Sequence, residues 1–150
     1  MAEEQMWIGG EWCAAENGDT SDVLNPATGE VMATVPKATA GDVNRCVETS
    51  RTAFNNADWK SMDPAQRGRI LNKMAAVTYA KAKELAVVES SNNGKTFREA
   101  LSEIRYGAWT LEYFAGLTDK IEGSTIPVPG SRLNYTLRQP LGVTAHIVPW

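Results

Sequence analysis

The segment at residues 143–148 constrains the fold of this chain more than any other feature. It is a mostly apolar run that follows a Pro/Gly turn at residues 139–142. Such a short run is typical of a strand buried on both faces of a parallel sheet. Parallel neighbours must be joined by a crossover of about a dozen residues or more. Only two residues follow position 148, so we expect the chain to stop partway through a larger α/β fold.

A second segment, at residues 132–138, also lacks an evident partner. It alternates polar and apolar residues, which indicates a strand with one buried and one exposed face. A Pro/Gly-rich connector at residues 122–130 precedes it, and no antiparallel neighbour is evident next to it in the sequence. We therefore expect this strand to pair with a strand outside the chain.

The first 36 residues read as short strands. Residues 6–8 and 11–13 flank a Gly-Gly pair and predict a β-hairpin. Residues 22–24 and 31–36 predict two further strands, separated by a turn that contains Asn, Pro and Gly. The segment predicts a small antiparallel sheet, and it contains no visible catalytic motif.

Four helices are predicted next, from their caps and their apolar spacing. Thr39, Asp63 and Thr96 stand where a side chain can cap a helix start, and the last of these begins a capping box with Glu99. A third helix over residues 82–91 should stop at residues 92–94, which tolerate left-handed backbone. The second helix is expected to bury a face made of Ile70, Leu71, Met74, Ala75 and Val77.

The composition excludes several classes of protein. The chain has 150 residues, with 15 basic and 18 acidic side chains and a net charge of −3. This charge argues against nucleic-acid binding through gross positive charge, and no apolar run approaches the ~18–20 residues of a membrane helix. Two cysteines 33 positions apart, in a chain whose start is acidic, suggest neither a disulfide framework nor a secretory signal. We expect a cytoplasmic protein.

Six short segments, taken in order, resemble the amino-terminal portion of the aldehyde dehydrogenase superfamily. The last resembles the family's Ile-x-Pro-Trp-Asn motif, cut one residue before its Asn. The resemblance covers nearly the whole chain. The segments are residues 7–12, 24–31, 93–95, 112–116, 138–143 and 147–150.

The resemblance implies an incomplete α/β fold of the aldehyde dehydrogenase type. Residues 1–122 would be the amino-terminal part of a Rossmann-like cofactor domain, 123–140 strands of an oligomerisation arm, and 141–150 the first central strand. It implies NAD- or NADP-dependent oxidation of an aldehyde to an acid through a cysteine thiohemiacetal. The catalytic Cys and Glu would lie beyond residue 150, so the chain alone should be inactive. The complete protein would be a homo-oligomer, a dimer or tetramer, that binds neither nucleic acid nor membrane.

The resemblance also assigns a cofactor site. Ile147, Val148, Pro149 and Trp150 would line it, at the carboxyl end of the predicted parallel strand, where open α/β sheets bind ligands. The structural alternative is a strand end with a packing Trp. The chain has no G-x-G-x-x-G fingerprint, and the family departs from that fingerprint as well.

Two further sites follow from the resemblance. Tyr106, Trp109 and Thr110 would line the substrate entrance, although helix packing explains them equally well. The backbone of Val23 and Leu24 and the side chain of Asn92 correspond to a monovalent-cation site in some members. Those members often carry Asp at the last position, and Asn keeps an oxygen ligand without its charge.

No catalytic residue is expected within the chain. Cys13 and Cys46 match no catalytic motif, and we interpret them, with His146, as structural. Two alternatives stay open. The chain could be a stand-alone binding or oligomerisation module with residues 132–138 as an edge strand, or a relative that kept the fold and lost the nucleophile.

Overall fold

A computed structural model describes residues 2–148 of the chain. Within that range, a three-stranded sheet and a β-hairpin precede five helices, and an extended segment follows them. Pro149 and Trp150, two of the expected cofactor residues, lie outside the described residues. None of the described helices is both long and apolar enough to cross a membrane.

The strands at the start of the chain form two separate units. β1 (Ala2–Glu3), β4 (Thr20–Leu24) and β5 (Val31–Pro36) form a sheet in the order β1-β5-β4. β4 pairs antiparallel with β5, as predicted, whereas β1 adds a parallel strand that was not expected. β2 (Met6–Ile8) and β3 (Glu11–Cys13) form the predicted hairpin.

The glycine pair makes that hairpin possible. Gly9 and Gly10 have φ angles of 64° and 92°, a region that side chains with a Cβ rarely adopt. Two consecutive positive φ values give the turn the twist that joins neighbouring antiparallel strands.

The described range contains five helices, three of which begin at the cap residues predicted from the sequence. They are α1 (Ala40–Asn55), α2 (Ala57–Lys60), α3 (Pro64–Ala80), α4 (Ala82–Asn93) and α5 (Phe97–Ala115). Thr39, Asp63 and Thr96 each accept a hydrogen bond from a backbone N–H in the first turn, and Gly94 ends α4 with a φ of 81°. The sequence missed α2, because a single turn shows no periodicity.

Small residues form the interface among α3, α4 and α5. A Cβ added to Gly68 would lie 2.7 Å from the carbonyl oxygen of Ala115, so α3 and α5 approach closely at this point. The buried side chains of the three helices are otherwise all methyl groups: Ala75, Ala82, Ala86, Ala100, Ala108 and Ala115. We call this set, with Gly68, the alanine seam.

The predicted buried face of α3 is therefore largely wrong. Ile70, Met74 and Val77 are 37%, 50% and 57% exposed, whereas Ala75 is buried and Leu71 half-buried. Gly68 and Ala75 turn toward α5 because only small residues permit the close approach. The larger side chains of the predicted face consequently lie outside this close contact and stay partly exposed.

Both segments predicted as strands near the end of the chain differ from expectation. Residues 132–138 are all exposed, and the antiparallel bridge of Tyr135 is to Thr125 of the preceding connector rather than to a strand outside the chain. With its flanking hydrogen bonds, this bridge makes a narrow ribbon. Residues 143–148 form no strand, and Ile147 is 99% exposed. A strand buried on both faces needs neighbours and two covering layers, and residues 2–148 supply neither.

Candidate cofactor and substrate site

The expected cofactor segment is exposed over its described part. Ile147 and Val148 are 99% and 73% exposed, and neither belongs to a strand. Gly142, just before this segment, has a φ of 111°, which sets the direction in which the chain leaves the preceding turn. The segment thus presents exposed apolar side chains, and a run of such side chains marks an interaction site.

The start of the same segment closes one side of a cavity against α1 and α2. The cavity has a volume of about 560 Å³. Phe54, Trp59 and Met62 supply apolar surface, and Gly142, Val143 and Thr144 face them. This cavity did not figure among the expected sites, because nothing in the sequence indicates that residues 142–144 return to α1.

The expected substrate-entrance residues lie together on the exposed side of α5. The ring centroids of Tyr106 and Trp109 are 5.5 Å apart, and those of Trp109 and Tyr113 are 6.0 Å apart. All three rings are more than half exposed. Thr110 is half-buried, and its hydroxyl donates to the carbonyl oxygen of Tyr106 at 2.9 Å. The face can offer ring surfaces to a ligand, while this threonine hydroxyl is already used within the helix.

The expected cation ligands come from two elements that the fold brings into contact. The turn after β4 touches the end of α4, since a Cβ on Gly94 would lie 2.9 Å from Cγ of Pro26. Val23 and Leu24 end β4 at a register shift, and Asn92 is exposed in the last turn of α4. Among the described residues, no group of three or more His, Cys, Asp or Glu could hold a metal ion.

An ion-pair network beside this corner was missed by the sequence analysis. The Nζ atom of Lys95 lies 3.0 Å from Glu89 on α4 and 2.5 Å from Glu103 on α5. The hydrogen bonds to Glu103 and then to Glu89 raise the pKa of the Lys95 ammonium above its usual value. We call these three residues the Lys95 clamp. The available signal was an acidic residue six positions before Lys95 and another eight positions after it, around the helix-ending Gly94.

A second hub joins α1 to the loop after the hairpin. One carboxylate oxygen of Asp42 accepts hydrogen bonds from the backbone N–H groups of Thr39 at 2.9 Å and Glu16 at 3.1 Å. These two N–H donors hold the pKa of Asp42 below its usual range. The side chain is 2% exposed and also pairs with Arg45 at 3.3 Å. Neither the bond to Glu16 nor the pair with Arg45 was predicted from the sequence.

The cysteines and the histidine occupy unremarkable positions. Cys13 is half-buried, with its thiol 3.3 Å from the guanidinium of Arg45, and Cys46 is exposed; both are free thiols. His146 is exposed, with its Nε2 atom 3.1 Å from the hydroxyl of Thr144. Within residues 2–148, none of the three side chains contacts a group of residues that could perform nucleophilic or general-base catalysis.

Comparison with known proteins adds information about the whole chain. A model of the aldehyde dehydrogenase family matches residues 12–150. The (Z)-2-((N-methylformamido)methylene)-5-hydroxybutyrolactone dehydrogenase of Acinetobacter baylyi is 41% identical over 100% of this chain and 30% of its own length. Mouse cytosolic aldehyde dehydrogenase 1 is 40% identical over 97% of this chain and 30% of its own length.

Solved structures give the same relationship. An NAD-dependent aldehyde dehydrogenase from Sinorhizobium meliloti is 36% identical and has a TM-score of 0.80, over 86% of this chain and 26% of that one. The chain thus spans about 30% of the length of the curated relatives it matches.

Proposed function

Because the chain belongs to the aldehyde dehydrogenase family, we propose that it forms the amino-terminal part of an enzyme that oxidises an aldehyde to a carboxylic acid with NAD or NADP. The carrying observation is the family match over residues 12–150, together with a fold that matches the amino-terminal part of the aldehyde dehydrogenase fold. The relative from Sinorhizobium meliloti is NAD-dependent, which supports a nicotinamide dinucleotide as cofactor.

The described part of the cofactor segment fits one wall of a dinucleotide site. Ile147 and Val148 expose apolar side chains outside any strand, and apolar surface suits the flat faces of a nucleotide's rings. In this proposal they hold the cofactor together with Pro149 and Trp150. When bound, the dinucleotide supplies the hydride acceptor.

The exposed rings of α5 would guide the aldehyde. The ring centroids of Tyr106 and Trp109 lie 5.5 Å apart and both rings are more than half exposed, so they can exclude water and orient an apolar substrate. The cysteine nucleophile and the carboxylate base belong, in this proposal, to chain beyond residue 150. We therefore propose that residues 1–150 by themselves bind and position the cofactor and the aldehyde but do not oxidise the aldehyde.

The function can be tested by transplantation. Residues 1–150 would replace the matching part of the Sinorhizobium enzyme, and NADH absorbance would be followed with a panel of aldehydes. We expect the hybrid to oxidise aldehydes and the 150-residue chain to produce no NADH. Turnover by the 150-residue chain, or a folded but inactive hybrid that keeps the host cysteine, would contradict the proposal.

The same proposal covers domain division and assembly. Residues 1–122 would belong to the cofactor domain, 123–140 to an oligomerisation arm and 141–150 to the first central strand. The ribbon at Thr125 and Tyr135 supports an arm, since both of its backbone edges are exposed and exposed edges pair with further strands. This also favours, as a second candidate, an oligomerisation module without catalysis. Sedimentation of the hybrid, with and without residues 123–140, distinguishes an arm from a passive loop.

Two minor parts of the proposal rest on single features. We propose a cytoplasmic location because both cysteines are free thiols, the usual state in a reducing compartment.

We also propose a monovalent cation between the carbonyl groups of Val23 and Leu24 and the side chain of Asn92, supported by the contact of Pro26 with Gly94. An Asn92→Asp variant should bind potassium more tightly, because it restores a charged ligand.

A further inference from the structure

A groove between α3 and α5 shares Trp109 with the proposed substrate entrance, but its charged residues have no part in the proposed function. Its volume is about 620 Å³, within the range of small-molecule sites. The two helices run antiparallel, since Gly68 near the start of α3 meets Ala115 at the end of α5. The residues that give the groove its character are Asn72, Ala76, Tyr79, Arg105, Trp109 and Glu112; we call it the α3–α5 groove.

The floor of the groove is flat and apolar. Ala75 and Ala108, both buried members of the alanine seam, line it together with Ala76. The walls are the rings of Tyr79 and Trp109, which are 60% and 55% exposed. Two aromatic walls over a methyl floor accept a flat ring, which can stack against an exposed aromatic face.

The two ends of the groove carry opposite charges. Arg105 lies over the ring of Tyr79 at 5.8 Å, which fixes its guanidinium at one end. Glu112 lies seven residues further along α5, about 10 Å away in helix rise, and the antiparallel packing sets Asn72 beside it. Within residues 2–148, neither Arg105 nor Glu112 has an oppositely charged group within 4.0 Å.

From this arrangement we propose that the α3–α5 groove binds a small zwitterion that has a flat ring between its charges. The carboxylate of the ligand pairs with Arg105, which can bind it in a bidentate manner. Its ammonium group pairs with Glu112 and the amide oxygen of Asn72. Its ring lies over Ala76 and against Trp109. Charge complementarity at both ends selects this class over simple acids, simple amines and neutral aromatic molecules.

The test compares three probes on the 150-residue chain by titration of its amide resonances. The probes are 4-(aminomethyl)benzoate, benzoate and benzylamine. Exposed ion pairs change affinity by up to about fivefold each. We therefore expect the zwitterion to bind about three- to fivefold more tightly than either singly charged probe, with shifts at residues on both walls. Equal dissociation constants for the three probes, or no saturable shifts, would overturn the proposal.

Variants test which charged residue of the groove binds each end of the ligand. Arg105→Gln should weaken the zwitterion and benzoate and leave benzylamine unchanged, while Glu112→Gln should weaken the zwitterion and benzylamine and leave benzoate unchanged. Arg98→Gln, an exposed arginine of the same helix outside the groove, is the matched control and should change nothing. If Arg105→Gln behaves as Arg98→Gln does, the proposal fails. These readouts do not depend on aldehyde oxidation, so the two proposals can fail separately.

Discussion

At the scale of the residue, two charged side chains contribute more to the contacts between elements than their sequence positions suggest. Asp42 ties the loop at Glu16 to the start of α1, and Lys95 ties α4 to α5. A helix cap depends on adjacent residues, so the sequence predicts Thr39 as the start of α1. The bond to Glu16 and the Lys95 clamp join residues that only the tertiary fold brings together. Neither could therefore be predicted from the sequence.

The low pKa of Asp42 makes stability depend on pH. A carboxyl whose folded pKa is depressed stabilises the fold above its unfolded pKa, about 3.9, and loses that contribution as pH falls through the folded value. We expect Asp42→Asn to lower the free energy of unfolding near neutral pH and to match the unmodified chain in strong acid. Urea unfolding between pH 7 and pH 2 measures this. Asp22→Asn, on exposed strand β4, serves as control; an equal loss there would contradict the assignment.

The raised pKa of Lys95 makes stability depend on pH in the opposite direction. Its contribution is fully present below the unfolded pKa of about 10.4 and is lost as pH rises through the higher folded value. Replacement by Met leaves Glu89 and Glu103 facing each other without a cation. We expect Lys95→Met to lower the melting temperature at pH 8. Lys120→Met removes an ion pair to the adjacent Asp119 and should change the melting temperature little.

At the scale of the element, helix ends are predictable and helix faces are not. Caps depend on a few adjacent residues, and Thr39, Asp63 and Thr96 all began helices as predicted. The face that a helix buries depends on its neighbour. In α3 the approach to α5 is decided by Gly68, whereas the apolar spacing favoured Ile70, Met74 and Val77. The same applies to residues 143–148, whose pattern indicates a strand that forms only beside other strands.

Substitutions at two helical glycines distinguish the effect of steric fit on stability from the effect of helix propensity. A Cβ on Gly68 would meet the Ala115 carbonyl at 2.7 Å, while one on Gly107 has nothing within 4 Å. We expect Gly68→Ala to destabilise the chain by about 1–3 kcal/mol, the usual cost of overpacking. Gly107→Ala should stabilise it by about 0.5–1 kcal/mol. Chemical denaturation of both variants tests this, and a gain at Gly68 would show that the two helices can separate at no cost.

At the scale of the whole molecule, the chain exposes more surface than its mass requires. Its accessible surface is 11,879 Å², whereas a compact monomer of 16.4 kDa exposes about 7,500 Å². Large apolar side chains are exposed chiefly on α3, α4, α5 and the segment after residue 123. The composition could not show this, because it records how many apolar residues exist and not how many find a partner.

Such a surface predicts self-association of the 150-residue chain. Large exposed apolar patches mark interaction sites or aggregation-prone surfaces. We expect sedimentation velocity to show species larger than a monomer whose proportion rises with concentration. A triple variant with serine at Leu141, Ile147 and Val148 should shift the distribution toward monomer. A monodisperse monomer at all concentrations would mean that these side chains are covered in solution.

The alanine seam has a thermodynamic consequence for the temperature response of the chain. Exposure of apolar surface raises the heat capacity on unfolding, and exposure of polar backbone lowers it. The seam buries methyl groups and closely packed backbone, so melting releases little hidden hydrocarbon. For 150 residues an ordinary domain would give about 1.8–2.2 kcal/mol/K; scanning calorimetry should give clearly less. The stability curve of the isolated chain would then be shallow, because a small heat-capacity change gives it little curvature.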